Sequence, residues 1–197
     1  LALALSIYCK LNFEILEEND KTVPLITLKG SLLHGLPKDQ NNLIYTVLSN
    51  LWRNDPDLLQ RVRITIESKI PLGKGLGSSA AAIMGSVWAA YALSERMLDR
   101  GEMLANASDM EGHSDNVSAS LLGGLVTCSR SSNTAAVVTQ KLLWPKDWCP
   151  FCPGDDLKKV PKDYEVFMYT NDFPSLSQTP PEPDPVATDF NITAPSY

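Results

Sequence analysis

The polar–apolar pattern changes period several times along the chain, and each change marks an element. Residues 5–16 and 23–29 read as strands, with "EENDKT" as the turn between them. In "NNLIYTVLSNLWR" (41–53), Leu43, Ile44, Val47, Leu48 and Leu51 fall at helical spacing behind an asparagine able to cap. "VRITIES" (62–68) returns to period two, with Val62, Ile64 and Ile66 on one face of a half-buried strand. A run of small residues then predicts a helix from about Ser78 to Leu98, able to pack closely on a sheet. Helices follow at 101–112 and 114–125, the second stopped by Gly123 and Gly124. "GGLVTCSR" leads into another strand. From about residue 141, proline and charge replace any period. "YEVFMYT" (164–170) is a further strand candidate, and the Pro-rich end reads as irregular or disordered. No internal repeat is visible. The mixture defines an α+β or α/β layered architecture.

Composition narrows the partners. The 197 residues carry 17 basic against 23 acidic side chains, a net charge of −6. That balance argues against bulk binding to nucleic acid or to an anionic membrane, though not against a local cationic pocket. Nothing reads as a signal peptide, and no apolar run reaches the roughly 18 to 20 residues of a membrane span. The four cysteines, Cys9, Cys128, Cys149 and Cys152, are expected to be reduced in a cytoplasmic protein.

The candidate chemistry begins at "PLGKGLGSSAA", residues 71–81. Gly75 and Gly77 tolerate positive φ and leave no side chain between backbone N–H groups and a ligand. The helix that follows offers unpaired first-turn N–H groups and the positive end of its dipole, both suited to phosphate. Ser78 and Ser79 add hydroxyls there, and Lys74 adds a cation. The loop is neither a Walker A motif nor a GxGxxG fingerprint. Taken alone, a serine-capped helix start explains it about equally well.

A second cluster changes that balance. "EGHSDNVSASLLGG" (111–124) gathers Glu111, His113, Asp115 and Asn116 at the start of a short helix. A carboxylate beside a phosphate loop can help hold Mg²⁺, which prefers oxygen ligands. Capping of the helix and a surface histidine are the plainer explanations for each residue taken separately. Both motifs in one chain favour a nucleotide site.

Together these motifs resemble the GHMP kinase superfamily. "PLGKGLGSSAA" is similar to its phosphate-binding P-x-x-x-G-L-G-S-S-A-A, and "EGHSDNV" followed by "LGG" resembles the version found in homoserine kinases. The resemblance runs more loosely from Leu1 to about Arg130. It implies a two-layer α/β sandwich of the ribosomal-protein-like kind over residues 1–140. An insert, a strand and a Pro-rich tail would follow over 141–197. It implies ATP and Mg²⁺ as cofactors and L-homoserine as acceptor, with no nucleic acid and no membrane, and a homodimer as a candidate assembly.

The implied roles fall on matched positions. Pro71, Leu72, Gly73, Lys74, Gly75, Leu76, Gly77, Ser78, Ser79, Ala80 and Ala81 would wrap the ATP phosphates. Asn42 would lie near the adenine. Ser79, with Ser78 as the neighbouring alternative, would be a Mg²⁺ or phosphate ligand, and Glu111 would be the carboxylate ligand of Mg²⁺. His113, Asp115 and Asn116 would line the acceptor site. Lys74, Asp115 and Asn116 would carry catalysis, Asp115 as substrate ligand first and base second.

The family's upstream P-x-[ST]-x-N-x-G-x-G-F-D segment and its C-terminal glycine motif have no counterpart here. The chain is therefore expected to be truncated at both ends, and weakly active or inactive alone. Competing readings are a GHMP kinase for mevalonate, a sugar or shikimate, a non-catalytic ATP-binding remnant, and a thiol redox or zinc role for Cys149 and Cys152. The last is weak, because the C-x-x-C pair lies in a Pro-rich stretch with no helix signal after it.

Overall fold

The computed structural model describes residues 1–17, 20–22, 24–131 and 136–142, together with the backbone of 189–196. Two sheets and five helices make up the described part. The chain enters through a two-residue strand β1 (Ala2–Leu3), crosses at Ala4, and runs on as β2 (Leu5–Ile15). β2 pairs antiparallel with β4 (Val62–Ser68), and β4 pairs parallel with β3 (Ile26–Lys29). A parallel pair needs a crossover. Here a 3₁₀ turn (Ser31–Leu33), α1 (Leu43–Leu51) and α2 (Pro56–Arg61) supply it. β7 (Asp189–Ser196) completes the order β3-β4-β2-β7.

The second sheet joins β1, β5 (Leu125–Arg130) and β6 (Val137–Leu142), all antiparallel. At the crossing between sheets, the Ala4 amide donates to the Gly124 carbonyl at 2.9 Å. The glycines that stop α5 thus also anchor the N-terminal strands.

The period-two pattern of the large sheet sorts its faces as expected. Cys9, Leu11 and Phe13 of β2, with Val62, Ile64 and Ile66 of β4, are buried in one cluster with residues of α1. Lys10, Glu14, Lys29 and Glu67 stay exposed. α3 (Ser78–Leu93) is apolar on all sides because it is covered on all sides. Ala81, Ala89 and Ala90 join the sheet-side cluster. Ala80, Ile83, Met84, Val87 and Tyr91 join a second cluster with α4 (Arg100–Glu111) and α5 (Asp115–Leu122). Small residues on one side let the helix approach the sheet, and large ones on the other fill the gap to its neighbours.

Several boundaries differ from the pattern-based expectation. α3 ends at Leu93 rather than Leu98. The Glu95 amide donates to Ala92 and the Arg96 amide to Tyr91, a Schellman closure that puts Glu95 at φ 53. Asp99 then caps α4, its Oδ1 accepting from the Glu102 amide at 2.7 Å, so 94–98 must serve as the link. α2 was hidden by its shortness, although Asp55 caps it at the Leu58 amide and Pro56 opens it. The Pro-rich end is corrected at 189–196, which pair with β2 from Leu5 to Glu14 instead of running irregularly. Pro195 fits there because β7 is an edge strand. The strand expected at 164–170, the insert and Cys149 with Cys152 lie outside the described residues.

Burial also sets the chemistry of Cys9, a free thiol only 3% exposed. Loss of hydration pushes it up to about 11, opposed in part by a hydrogen bond with Ser68. The fold therefore favours the protonated thiol. That stabilisation is present below the unfolded thiol's pKa, roughly 8.5, and is lost as pH rises through about 11. In a variant whose only cysteine is Cys9, a thiol-reactive dye at pH 8 is expected to label the urea-unfolded chain rapidly and the native chain hardly at all. Equal labelling rates would contradict the burial.

Candidate active site

Three helix ends meet at the glycine loop. Gly73, Gly75 and Gly77 take φ values of 67, 72 and 70, so the loop turns through the left-handed region at every second residue. A Cβ at Gly73 or Gly75 would meet nothing within 4 Å, so backbone conformation rather than crowding requires glycine there. The space above the loop is open. Gly77 is the N-cap of α3 and supplies no side-chain hydrogen bond, so the first-turn amides are left for a ligand. Ser79 and Lys74 are exposed, while Ser78 is half-buried.

α4 reaches the loop with its C-terminal end. Glu111 is its last residue, and Gly112 closes the helix in the left-handed region at φ 87. The Ser79 hydroxyl donates to Glu111 Oε1 at 2.6 Å across 32 residues of sequence. The Glu111 side chain is only 8% exposed. α3 and α4 are also locked farther along. Asn106 Nδ2 donates to the Tyr91 hydroxyl at 2.7 Å, Arg96 stacks 4.1 Å above the Tyr91 ring, and Arg96 pairs with Glu102 at 2.6 Å. Burial, aided by Glu102, pushes the Tyr91 phenol up to about 12. These contacts fix how far α4 extends toward Ser79.

α5 begins three residues beyond Gly112, with Ser114 at its N-cap but no side-chain cap. His113, on the link, places Nδ1 2.6 Å from Asp115 Oδ1 and Nε2 3.8 Å from Glu111 Oε1. The Asn116 amide donates to the same Asp115 oxygen at 2.8 Å. A continuous line of polar groups, Ser79–Glu111–His113–Asp115, therefore runs from the start of α3 to the start of α5.

The structure brings together Ser79, Glu111, His113, Asp115 and Asn116, and sets the 71–81 loop beside them. It engages Asn42 locally: the side chain caps α1 at the Ile44 amide (3.0 Å) and donates to the Pro37 carbonyl (2.7 Å), and the residue is 3% exposed. The capping explanation of Asp115 holds only in part, since its oxygen takes the neighbouring amide while the side chain remains 42% exposed. Sequence spacing gave no sign that His113 and Asp115 pair with each other. A 2-residue offset is not a helical contact distance; the pair forms in the short link where Ser114 leads into α5.

Among the described residues, no group of three or more His, Cys, Asp or Glu could hold a metal by itself. One hydroxyl and one carboxylate fit an ion that takes its remaining ligands from phosphate and water, as Mg²⁺ does. Among the same residues, no helix is long and apolar enough to cross a membrane.

The candidate site is thus a strand, a glycine loop in the left-handed region and a helix start faced by the acidic end of α4. Residues 42–124 match the sequence model of the GHMP kinases N terminal domain, which gives this segment of the chain its family. Within that family its similarity lies with homoserine kinases. It is 37% identical over 155 residues to the homoserine kinase of Caldanaerobacter subterraneus subsp. tengcongensis, covering 79% of this chain and 48% of that protein. It is 33% identical over 162 residues to that of Natranaerobius thermophilus, covering 80% and 51%. A solved candidate homoserine kinase from Listeria monocytogenes superposes with TM-score 0.60 at 28% identity, over 73% of this chain and 47% of that one. The chain thus spans about half the length of these relatives.

Proposed function

We propose that the protein transfers the terminal phosphoryl group of ATP to the hydroxyl of L-homoserine, giving ADP and O-phospho-L-homoserine. The observation that carries this reading is the 2.6 Å contact of Ser79 with Glu111 at the uncapped start of α3, next to the His113–Asp115 pair. Homoserine kinases among the relatives supply the acceptor.

Phosphoryl transfer depends on positioning and on neutralising charge. Residues 1–140 form the nucleotide-binding unit in this reading. The 71–81 loop and the first amides of α3 bind the phosphates, with Lys74 as an added cation at the loop's exposed rim. Ser79 and Glu111 hold Mg²⁺, whose charge offsets that of the phosphate oxygens. Asn42 supports the adenine side by capping α1 and holding the 37–42 segment. Asp115 and Asn116 orient the acceptor hydroxyl, with the role of base secondary for Asp115.

Binding is tested by thermal shift. Ligand at about 100 times its Kd stabilises a fold by roughly 2.7 kcal/mol, so millimolar Mg-ATP is expected to raise Tm by several degrees. An unchanged Tm at that concentration counts against the nucleotide site.

A further inference from the structure

Two hydrogen bonds converge on one oxygen of Asp115. His113 Nδ1 lies 2.6 Å from Oδ1, and the Asn116 amide donates to that same oxygen at 2.8 Å. Since a carboxylate only accepts, Nδ1 carries the proton. Oδ1 is thereby committed to the chain, and Oδ2 is the oxygen presented by a side chain that is 42% exposed. The other ring nitrogen faces Glu111 Oε1 at 3.8 Å, too far for a hydrogen bond. Both polar atoms of the imidazole are thus turned toward carboxylates of this chain.

We propose that His113 is a positioning residue rather than a ligand of the acceptor: it pins Asp115 Oδ1 so that Oδ2 meets the acceptor hydroxyl. This rests on the acceptor site proposed above, and it gives His113 a different role from the one the family resemblance implied. An oriented carboxylate loses less freedom when the acceptor binds, so the effect belongs in acceptor affinity.

The pairing is read without activity from the ring itself. The ring signals of His113 are identified as those lost in His113→Gln. Long-range ¹H–¹⁵N spectra of the full-length protein are expected to show the Nδ1–H tautomer, and Asp115→Ala is expected to abolish that preference. Ring signals unaffected by Asp115→Ala overturn the proposal. Kinetics then separate the roles. Asparagine places its amide nitrogen near the Nδ1 position, whereas glutamine reaches toward the Nε2 position. His113→Asn is expected to keep the acceptor KM within about threefold of wild type, and His113→Gln and His113→Ala to raise it about tenfold or more, with the ATP KM unchanged. In an Asp115→Ala background, His113→Ala is expected to add less than about twofold. Equal damage from Asn and Ala, with losses that multiply, would mean direct contact with the acceptor. A coupled tautomer in a protein that does not turn over homoserine supports the pairing and overturns the acceptor reading instead.

Discussion

Replacing Glu111 by alanine in a full-length protein carrying this chain is expected to lower kcat/KM on the order of 10²- to 10³-fold, with the fold intact. The size follows from where the side chain sits. Glu111 is the last residue of α4, its carboxylate is nearly buried, and it accepts the Ser79 hydroxyl at the start of α3. It brings negative charge to the one end of α3 that would otherwise attract only the phosphates. A cation shared between that carboxylate and the phosphates needs the charge, so glutamine, which keeps the shape, is expected to recover little. Stability is set elsewhere, by the buried clusters around α3 and by the Tyr91–Asn106 lock, so Tm without ligand is expected to move little. The diagnostic readout is the extra Tm gained with Mg-ATP over ATP alone, which is expected to vanish. Activity within tenfold of wild type would remove Glu111 from the metal site.

Phe13→Ala is expected to destabilise the domain by about 3–5 kcal/mol. Phe13 lies on β2, opposite Ile64 of β4, and has no exposed surface. It is buried in one cluster with Ile64 of β4 and with Ile44 and Leu48 of α1, so the cavity left by the ring cannot collapse without moving the sheet. The loss is a large share of the roughly 5–15 kcal/mol that holds a typical domain together. A Tm fall of roughly 6–20 °C is expected, with the urea midpoint lowered and the m value unchanged. A loss below about 1.5 kcal/mol would mean that β2 is not the centre of the core.

How much of this was legible depended on how local the cause was. Val62, Ile64 and Ile66 declare a strand because period two is written in adjacent residues. The Ser78 start of α3 declares itself through Gly77, because a left-handed residue is needed there. The end of α3 was misjudged, since nothing in "SERMLD" excludes helix; Asp99, already committed to capping α4, stops it. β7 was missed because its pairing with β2 joins residues nearly the whole chain apart, and prolines nearby signalled disorder. At the site, the residue types and their two motifs were readable. The resemblance set Ser79 and Glu111 at one metal, but the residues alone did not show that they touch, because that depends on how α4 is set against α3; the His113–Asp115 pair was not readable either, because it depends on the conformation of the 113–115 link.

L-Homoserine as the acceptor is tested most directly by one measurement. The full-length protein is incubated with Mg-ATP and, separately, L-homoserine, mevalonate, galactose or shikimate, and products are followed by ³¹P NMR. A phosphomonoester signal with stoichiometric ADP in the homoserine sample alone is the predicted result. Phosphorylation of mevalonate, galactose or shikimate with homoserine untouched would contradict the account.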